Sequence, residues 1–227
     1  MRLFQVIKGD MMFQFKYGFY FVYGVFTIMY LILLMMFPVS WRETAGLLMI
    51  FGDPTAIGLI FTGSIIHLEL SEKTFESIKV SPITPMDYLL GKYCSLAMLS
   101  LTVALIIGAY ANLITNIIMF SLGIILGAML FTAFGVIFAL KSKSLNQFMI
   151  MIVPVLVLVL IPGGFEIFNL SFPASFLHPG NALVLVLTSS HQLGLALISL
   201  VLWLILMTYL CYKVVLQAFR QKGGLNA

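Results

Sequence analysis

The charged residues of this chain concentrate in one stretch, and their chemistry is that of ion pairing and docking. Residues 69–92 have the sequence ELSEKTFESIKVSPITPMDYLLGK and lie between two long apolar runs. In so apolar a chain, such a cluster is where a water-soluble partner could bind. Its charged members are Glu69, Glu72, Lys73, Glu76, Lys79, Asp87 and Lys92.

The spacing of these charges predicts a short amphipathic helix. Opposite charges three or four residues apart on a helix attract by about 0.2–0.5 kcal/mol per pair. Pro82 and Pro85 push the residues before them towards extended geometry. We therefore expect a helix that ends near Val80 and turns back into the next apolar run. The ion pairs predicted on one face of it are Glu69–Lys73 and Glu76–Lys79, with Glu72 beside them.

Other reactive groups are few, and none forms a catalytic pattern. Ser64 and His67 lack the small flanking residues of an intramembrane serine-protease turn, and His67 is expected at a membrane interface. Gly91-Lys92-Tyr93 lacks the upstream glycine and the following hydroxyl of a phosphate loop. We expect no catalytic site, no metal and no cofactor in this chain. One acid and two histidines are candidates for a metal site, but their spacing is not a known metal-ligand pattern. These residues are Glu166, His178 and His191.

Two acids are candidates for a transport pathway or a helix break. Asp53 is the one acid well inside an apolar run, and an intramembrane acid is a functional candidate by default. Because it precedes Pro54, it can instead cap a broken helix, and we favour that role over contact with a cargo or a proton. Glu166 is the second candidate.

Composition places these residues in a membrane protein. The 227 residues are 62% hydrophobic and only 9% charged, whereas soluble domains carry roughly 25% charged residues. Mean hydropathy is +1.12. The net charge of +4 comes from basic residues scattered at the ends of apolar runs, so it indicates membrane topology and no nucleic-acid partner.

The apolar runs predict an all-α polytopic protein with six transmembrane helices. An interfacial helix over residues 1–16 precedes a six-span domain over 17–227. Residues 162–190 are apolar but rich in proline and glycine, and 182–187 are too few to cross the roughly 30 Å hydrocarbon core, so we expect re-entrant short helices there. The predicted spans are 17–37, 46–68, 86–111, 117–140, 145–161 and 191–212.

Basic residues predict which loops face the cytoplasm. All Lys and Arg residues except Arg42 lie in four segments. Positively charged loops remain cytoplasmic, so both termini are expected on the cytoplasmic side of the bacterial cytoplasmic membrane. An even number of spans agrees with this. The four segments are 1–17, 69–92, 141–146 and 213–227.

At the charged segment the chain resembles a known family. Val80-Ser81-Pro82-Ile83 and Tyr88-Leu89-Leu90, with Lys92 following, are similar to the pattern of ABC-2-type permeases. Gly52-Asp53-Pro54 resembles the fluoroquinolone-exporter-like group of small bacterial drug-export permeases. Lys73 stands where that family often has glycine. The other residues that carry the resemblance are Glu69, Thr74, Glu76 and Ile78.

The resemblance implies a type V exporter-like fold and an ATP-driven mechanism. Segment 69–85 would be the coupling helix that docks on a separate ABC ATPase subunit, which itself binds ATP and magnesium. A second permease subunit, identical or related, would complete the pathway within the lipid bilayer. The cargo would be hydrophobic or amphipathic: a drug, a lipid or a peptide. The coupling residues implied are Glu69, Glu72, Thr74, Phe75, Glu76, Ile78 and Pro82.

Two alternatives remain open at this point. One is an energy-independent or ion-coupled transporter or channel subunit. Ion-coupled transport usually needs buried charges in the spans, and we expect none there. The other is a membrane scaffold that transports nothing.

Overall fold

The computed structural model describes residues 2–52, 56–170, 174–190 and 192–220. Within these ranges the chain is helical, with one 3₁₀ turn at Ser175–Leu177 and no strand. The helices are α1 (Arg2–Lys16), α2 (Phe19–Met36), α3 (Val39–Ile50), α4 (Ala56–Ser71), α5 (Thr74–Val80), α6 (Pro85–Tyr110), α7 (Ile117–Lys141), α8 (Leu145–Ile167), α9 (Pro179–Leu187) and α10 (Leu193–Arg220).

Helix α7 lies at the centre and packs against α4, α6, α9 and α10. Small residues along α7, among them Gly123, Gly127 and Gly135, are buried and let its neighbours approach closely. The nine residues of α9 are all buried. The core is therefore built around α7, while α2, α8 and α10 leave broad apolar faces exposed.

Five of the described helices are long and apolar enough to cross a membrane: α2, α6, α7, α8 and α10. The second predicted span, over 46–68, is divided between α3 and the sixteen-residue α4. The interval between them includes residues 53–55, which lie outside the described ranges. A sixth crossing made of α3 and α4 together stays a prediction.

The predicted end of the fifth span near residue 161 is wrong, because α8 continues through Pro162 to Ile167. Proline has no N–H for the carbonyl four residues earlier, which here belongs to Leu158. α8 nonetheless continues through Pro162, as it does through Pro154. The short helical elements after α8 are the 3₁₀ turn and α9, and a re-entrant path for 162–190 stays a prediction.

The charged segment, residues 69–92, covers the end of α4, the whole of α5 and the start of α6, so the single helix predicted from Glu69 to Val80 is interrupted at 72–73. Lys73 has a φ of 57°, in the left-handed region that favours glycine. α5 then ends at Val80, as predicted. Thr84 caps α6: its Oγ1 accepts from the Asp87 N–H at 3.1 Å, and the Asp87 carboxylate accepts from the Thr84 N–H at 3.1 Å. Pro85 occupies the first turn of α6.

Helix α1 buries two polar residues, Asp10 and Gln14, and exposes three large apolar ones. Gln14 is fully buried against α6. Phe4, Met12 and Phe15 are 71%, 63% and 75% exposed, respectively. This arrangement suits a helix whose outer face meets lipid.

Replacing Gly135 by alanine is expected to push α4 away from α7. The new Cβ would lie 2.7 Å from the Leu59 carbonyl oxygen and 2.7 Å from Thr62 Cβ. Overpacking of this kind costs about 1–3 kcal/mol, which thermal unfolding in detergent would register as a lower midpoint. Gly24→Ala is the matched control, because a Cβ there meets nothing within 4 Å. Equal midpoints for the two variants would contradict the close contact.

Candidate functional site

A buried ion network joins α1, α4 and α6 at one end of the bundle. The Lys92 ammonium donates to Glu69 Oε1 at 2.5 Å and to Asp10 Oδ1. Tyr88 donates its hydroxyl to Glu69 Oε2 at 2.8 Å. Ser95 donates to Asp10 Oδ2. We call these five residues the ion network.

The network is nearly closed to solvent. The exposed fractions of the Lys92, Glu69 and Asp10 side chains are 1%, 4% and 7%. Buried charges are tolerated only when paired and hydrogen-bonded, and here each carboxylate accepts from both an ammonium and a hydroxyl. Gln14 adds a 2.8 Å donation to Asp10 Oδ2. Two carboxylates face one ammonium, so the network has one negative charge in surplus.

A cavity of about 530 Å³ opens beside the network, between α1, α5 and α6. Apolar side chains form much of its wall, and Asp10, Glu69 and Lys92 line it as well. The close approach of α1 to α6 beneath it requires Gly91, since a Cβ there would lie 2.7 Å from Val6 Cγ1. The cavity therefore has a largely apolar wall that includes three charged side chains.

An aromatic cluster fastens α5 to two long helices. Phe75 is 1% exposed and packs edge-on against Tyr88 of α6 and Phe219 of α10, with ring centroids 5.7 Å apart in both cases. The Lys79 ammonium lies 5.1 Å from the centre of the Phe75 ring. It also pairs with Glu76 at 2.8 Å, which confirms the predicted Glu76–Lys79 pair.

The predicted coupling residues divide into a buried and an accessible group. Glu69 and Phe75 are buried inside this chain, so the expectation that they contact a partner is revised. The predicted Glu69–Lys73 pair is likewise replaced, because the Glu69 carboxylate is bonded to Lys92 and Tyr88. The residues that keep exposed or half-exposed side chains are Glu72, Thr74, Glu76, Ile78 and Pro82.

Glu166 belongs to a second polar group, beside the start of α9. It accepts from Asn181 Nδ2 at 3.1 Å, and Asn181 Oδ1 lies 3.1 Å from His178 Nδ1. Burial lowers the pKa of His178 below its usual range, so the ring is neutral at pH 7. It then has one N–H, which it can donate to Asn181 Oδ1.

The other sequence candidates do not assemble into a reactive centre among the described residues. His67 Nε2 lies 2.8 Å from Ser142 Oγ, and Ser64 donates to the Ile60 carbonyl. In the ranges that the structure covers, no three acids, cysteines or histidines come close enough to hold a metal ion. Asp53, Pro54 and His191 lie outside the described residues.

Sequence reasoning missed Asp10 and the central role of Lys92. The partners Asp10 and Lys92 are 82 positions apart, and no local pattern links them. One signal was available: Lys92 lies eight residues into a predominantly apolar helix, where an ionisable residue is expected to have a specific partner. The same argument had been applied only to Asp53.

The apolar helices around α7, with a charged network at one end, define a multi-pass α-helical membrane protein. The chain is similar to the fluoroquinolones export permease proteins of two Mycobacterium tuberculosis strains, CDC 1551 and H37Rv. It is 29% identical to each over 136 residues, which are 60% of this chain and 57% of each relative. This confirms the resemblance to fluoroquinolone-export permeases. No family model matches the chain.

Proposed function

We propose that this chain is the transmembrane permease subunit of an ATP-driven exporter. It would move a hydrophobic or amphipathic cargo out of the cytoplasm, powered by an ABC ATPase docked on segment 69–85. The similarity to export permeases and the apolar helices support the transport role. In this proposal both termini are cytoplasmic, and the ATPase alone binds ATP and magnesium.

The observation that carries the proposal is the two-sided construction of α5. One side holds Phe75 against α6 and α10. The other side presents Ser77 and Val80 to solvent, with Val80 88% exposed. A short helix that is exposed on one side and packed on two long helices on the other can transmit a movement from a docked partner into the membrane domain.

The ion network connects the same movement to further helices. Glu69 lies in the last turn of α4, five residues before α5 begins at Thr74, and Lys92 connects it to α6 and α1. A displacement of α5 would therefore reach α1, α4, α6 and α10 together. ATP can drive such a displacement only if it binds the two arrangements with different affinity.

A second permease subunit is part of the proposal. The exposed apolar faces of α2, α8 and α10 need lipid or protein cover, and one chain of this size has too few spans to enclose a pathway. The partner would be a second copy or a related chain. Affinity purification in mild detergent, with identification of the co-purified ATPase and permease, tests the assembly directly.

An ion-coupled transporter is the second candidate, and one observation favours it. The expectation that the spans lack buried charges is wrong, because Lys92 is a buried cation in α6. Intramembrane ionisable groups often mark ion pathways. Cargo uptake by proteoliposomes that contain the chain alone, driven by a proton gradient, would favour this candidate over the ATP-driven one.

Replacing Val80 by arginine is expected to abolish co-purification with the ATPase while the chain stays folded. Val80 makes little contact within the chain, so the substitution changes the docking surface and not the core. Val39→Arg is the control, since Val39 is 76% exposed at the start of α3, on the opposite predicted side. Undiminished co-purification of the Val80 variant would contradict docking on α5.

A further inference from the structure

The cavity between α1, α5 and α6 has the size and wall chemistry of a small-molecule site. Ligand pockets in proteins are commonly about 300–1,000 Å³, and this one is about 530 Å³. Val6, Phe13, Ile78 and Ile83 line it with apolar surface. The ion network supplies its charged floor through Asp10 and Glu69.

The net charge of the buried residues at this floor determines whether a cationic or an anionic ligand is favoured. Lys92 is the only cation bonded to the two buried carboxylates in the part of the chain described. A carboxylate has about four acceptor positions. Glu69 uses two of them, on Lys92 and Tyr88, so it retains capacity for another donor.

Arg2 also lines the cavity but does not cancel this surplus. Its side chain is exposed, so water screens its charge. It also lies close enough to Asp87, a further acid at the start of α6, for the two charges to interact. The unbalanced charge at the buried floor is therefore negative.

We propose that this cavity binds amphipathic molecules that have a protonated amine. The ammonium would donate to Glu69 and Asp10 at the floor. The apolar part would lie against Val6, Phe13, Ile78 and Ile83. The site belongs to the isolated chain and does not depend on the proposed coupling to an ATPase.

Direct binding to the purified chain tests the site. The probes are a hexanediamine that carries dansyl on one nitrogen and keeps the other as a free primary amine, and the dansyl-labelled aminohexanol of the same length. Both are titrated in a non-ionic detergent and followed by dansyl fluorescence. A charge-assisted hydrogen bond in a buried site favours the amine by at least about tenfold in Kd. Equal affinity for amine and alcohol overturns the proposal.

Two variants locate the binding. Gly9 lines the cavity and a Cβ there meets nothing within 4 Å, so we expect the ring of Gly9→Phe to occupy space that the probes would otherwise take. It should abolish binding of both probes. Gly24→Phe is the matched control on α2, where a Cβ is equally unobstructed, and should bind as the unaltered chain does. Unchanged amine binding by Gly9→Phe overturns the proposal.

A third variant isolates the charge. Glu69→Gln keeps the shape of the side chain and removes the surplus negative charge, so the preference for amine over alcohol should fall to about onefold. Thermal unfolding in the same detergent verifies that Glu69→Gln is folded. If Glu69→Gln does not fold, the comparison of Gly9→Phe with Gly24→Phe still tests the proposal. A folded Glu69→Gln variant that keeps the full amine preference also overturns the proposal.

Discussion

Replacing Lys92 by methionine is expected to lower the free energy of unfolding by about 3–5 kcal/mol, because it leaves two buried carboxylates without their cation. Glu69 and Asp10 would then repel each other in a site closed to water. The measurement is the thermal unfolding midpoint in detergent, together with the yield of monodisperse protein.

Two comparisons separate this effect from a general loss of a lysine. Lys8→Met removes an exposed lysine from α1 and should leave the midpoint unchanged. A triple variant, Lys92→Met with Asp10→Asn and Glu69→Gln, removes all three buried charges and should recover much of the stability, since replacing a whole buried ion cluster is often neutral. If Lys92→Met alone were as stable as Lys8→Met, the ion network would not stabilise the fold.

Replacing Phe75 by alanine is expected to detach α5 from α6 and α10. Truncation of a buried aromatic side chain costs about 3–5 kcal/mol, and here nearly all of its contacts hold one short helix. Because the opening is local, trypsin should cleave at Lys73 and Lys79 much faster than in the unaltered chain. Under the proposed function, the variant should also lose stimulation of the ATPase although Phe75 does not face the partner.

Phe15→Ala is the control for this prediction. Phe15 is also a phenylalanine on a helix near the membrane surface, but it is 75% exposed. Its removal should change neither the rate of tryptic cleavage at α5 nor the stimulation. If the Phe75 variant resisted trypsin like the unaltered chain, α5 would be held by contacts other than the aromatic cluster.

The ends of the short elements were predictable because they depend on local chemistry. Pro82 limits α5, and the Thr84-Pro85 pair with Asp87 three residues after Thr84 specifies the start of α6. Apolar length similarly located α2, α6 and α7 to within a few residues. These features need no information from distant parts of the chain.

The failures have a common cause in long-range contacts. Asp10 was not expected in a site, yet Lys92, 82 positions later on α6, pairs with it. Glu69 was expected on an outward face, yet a lysine 23 residues later holds it inside. In both cases the deciding partner lies on another element, so neither periodicity nor propensity along one helix predicts it.

The burial of Asp10 and Gln14 of α1 against α6 has a consequence for how the protein is made. The chain is synthesised from its N-terminus, so Asp10 leaves the ribosome 82 residues before Lys92. Until α6 enters the membrane, the polar side of α1 has no buried partner and water must solvate it. α1 is therefore translated before α6 but can reach its final position only after α6 has reached its own.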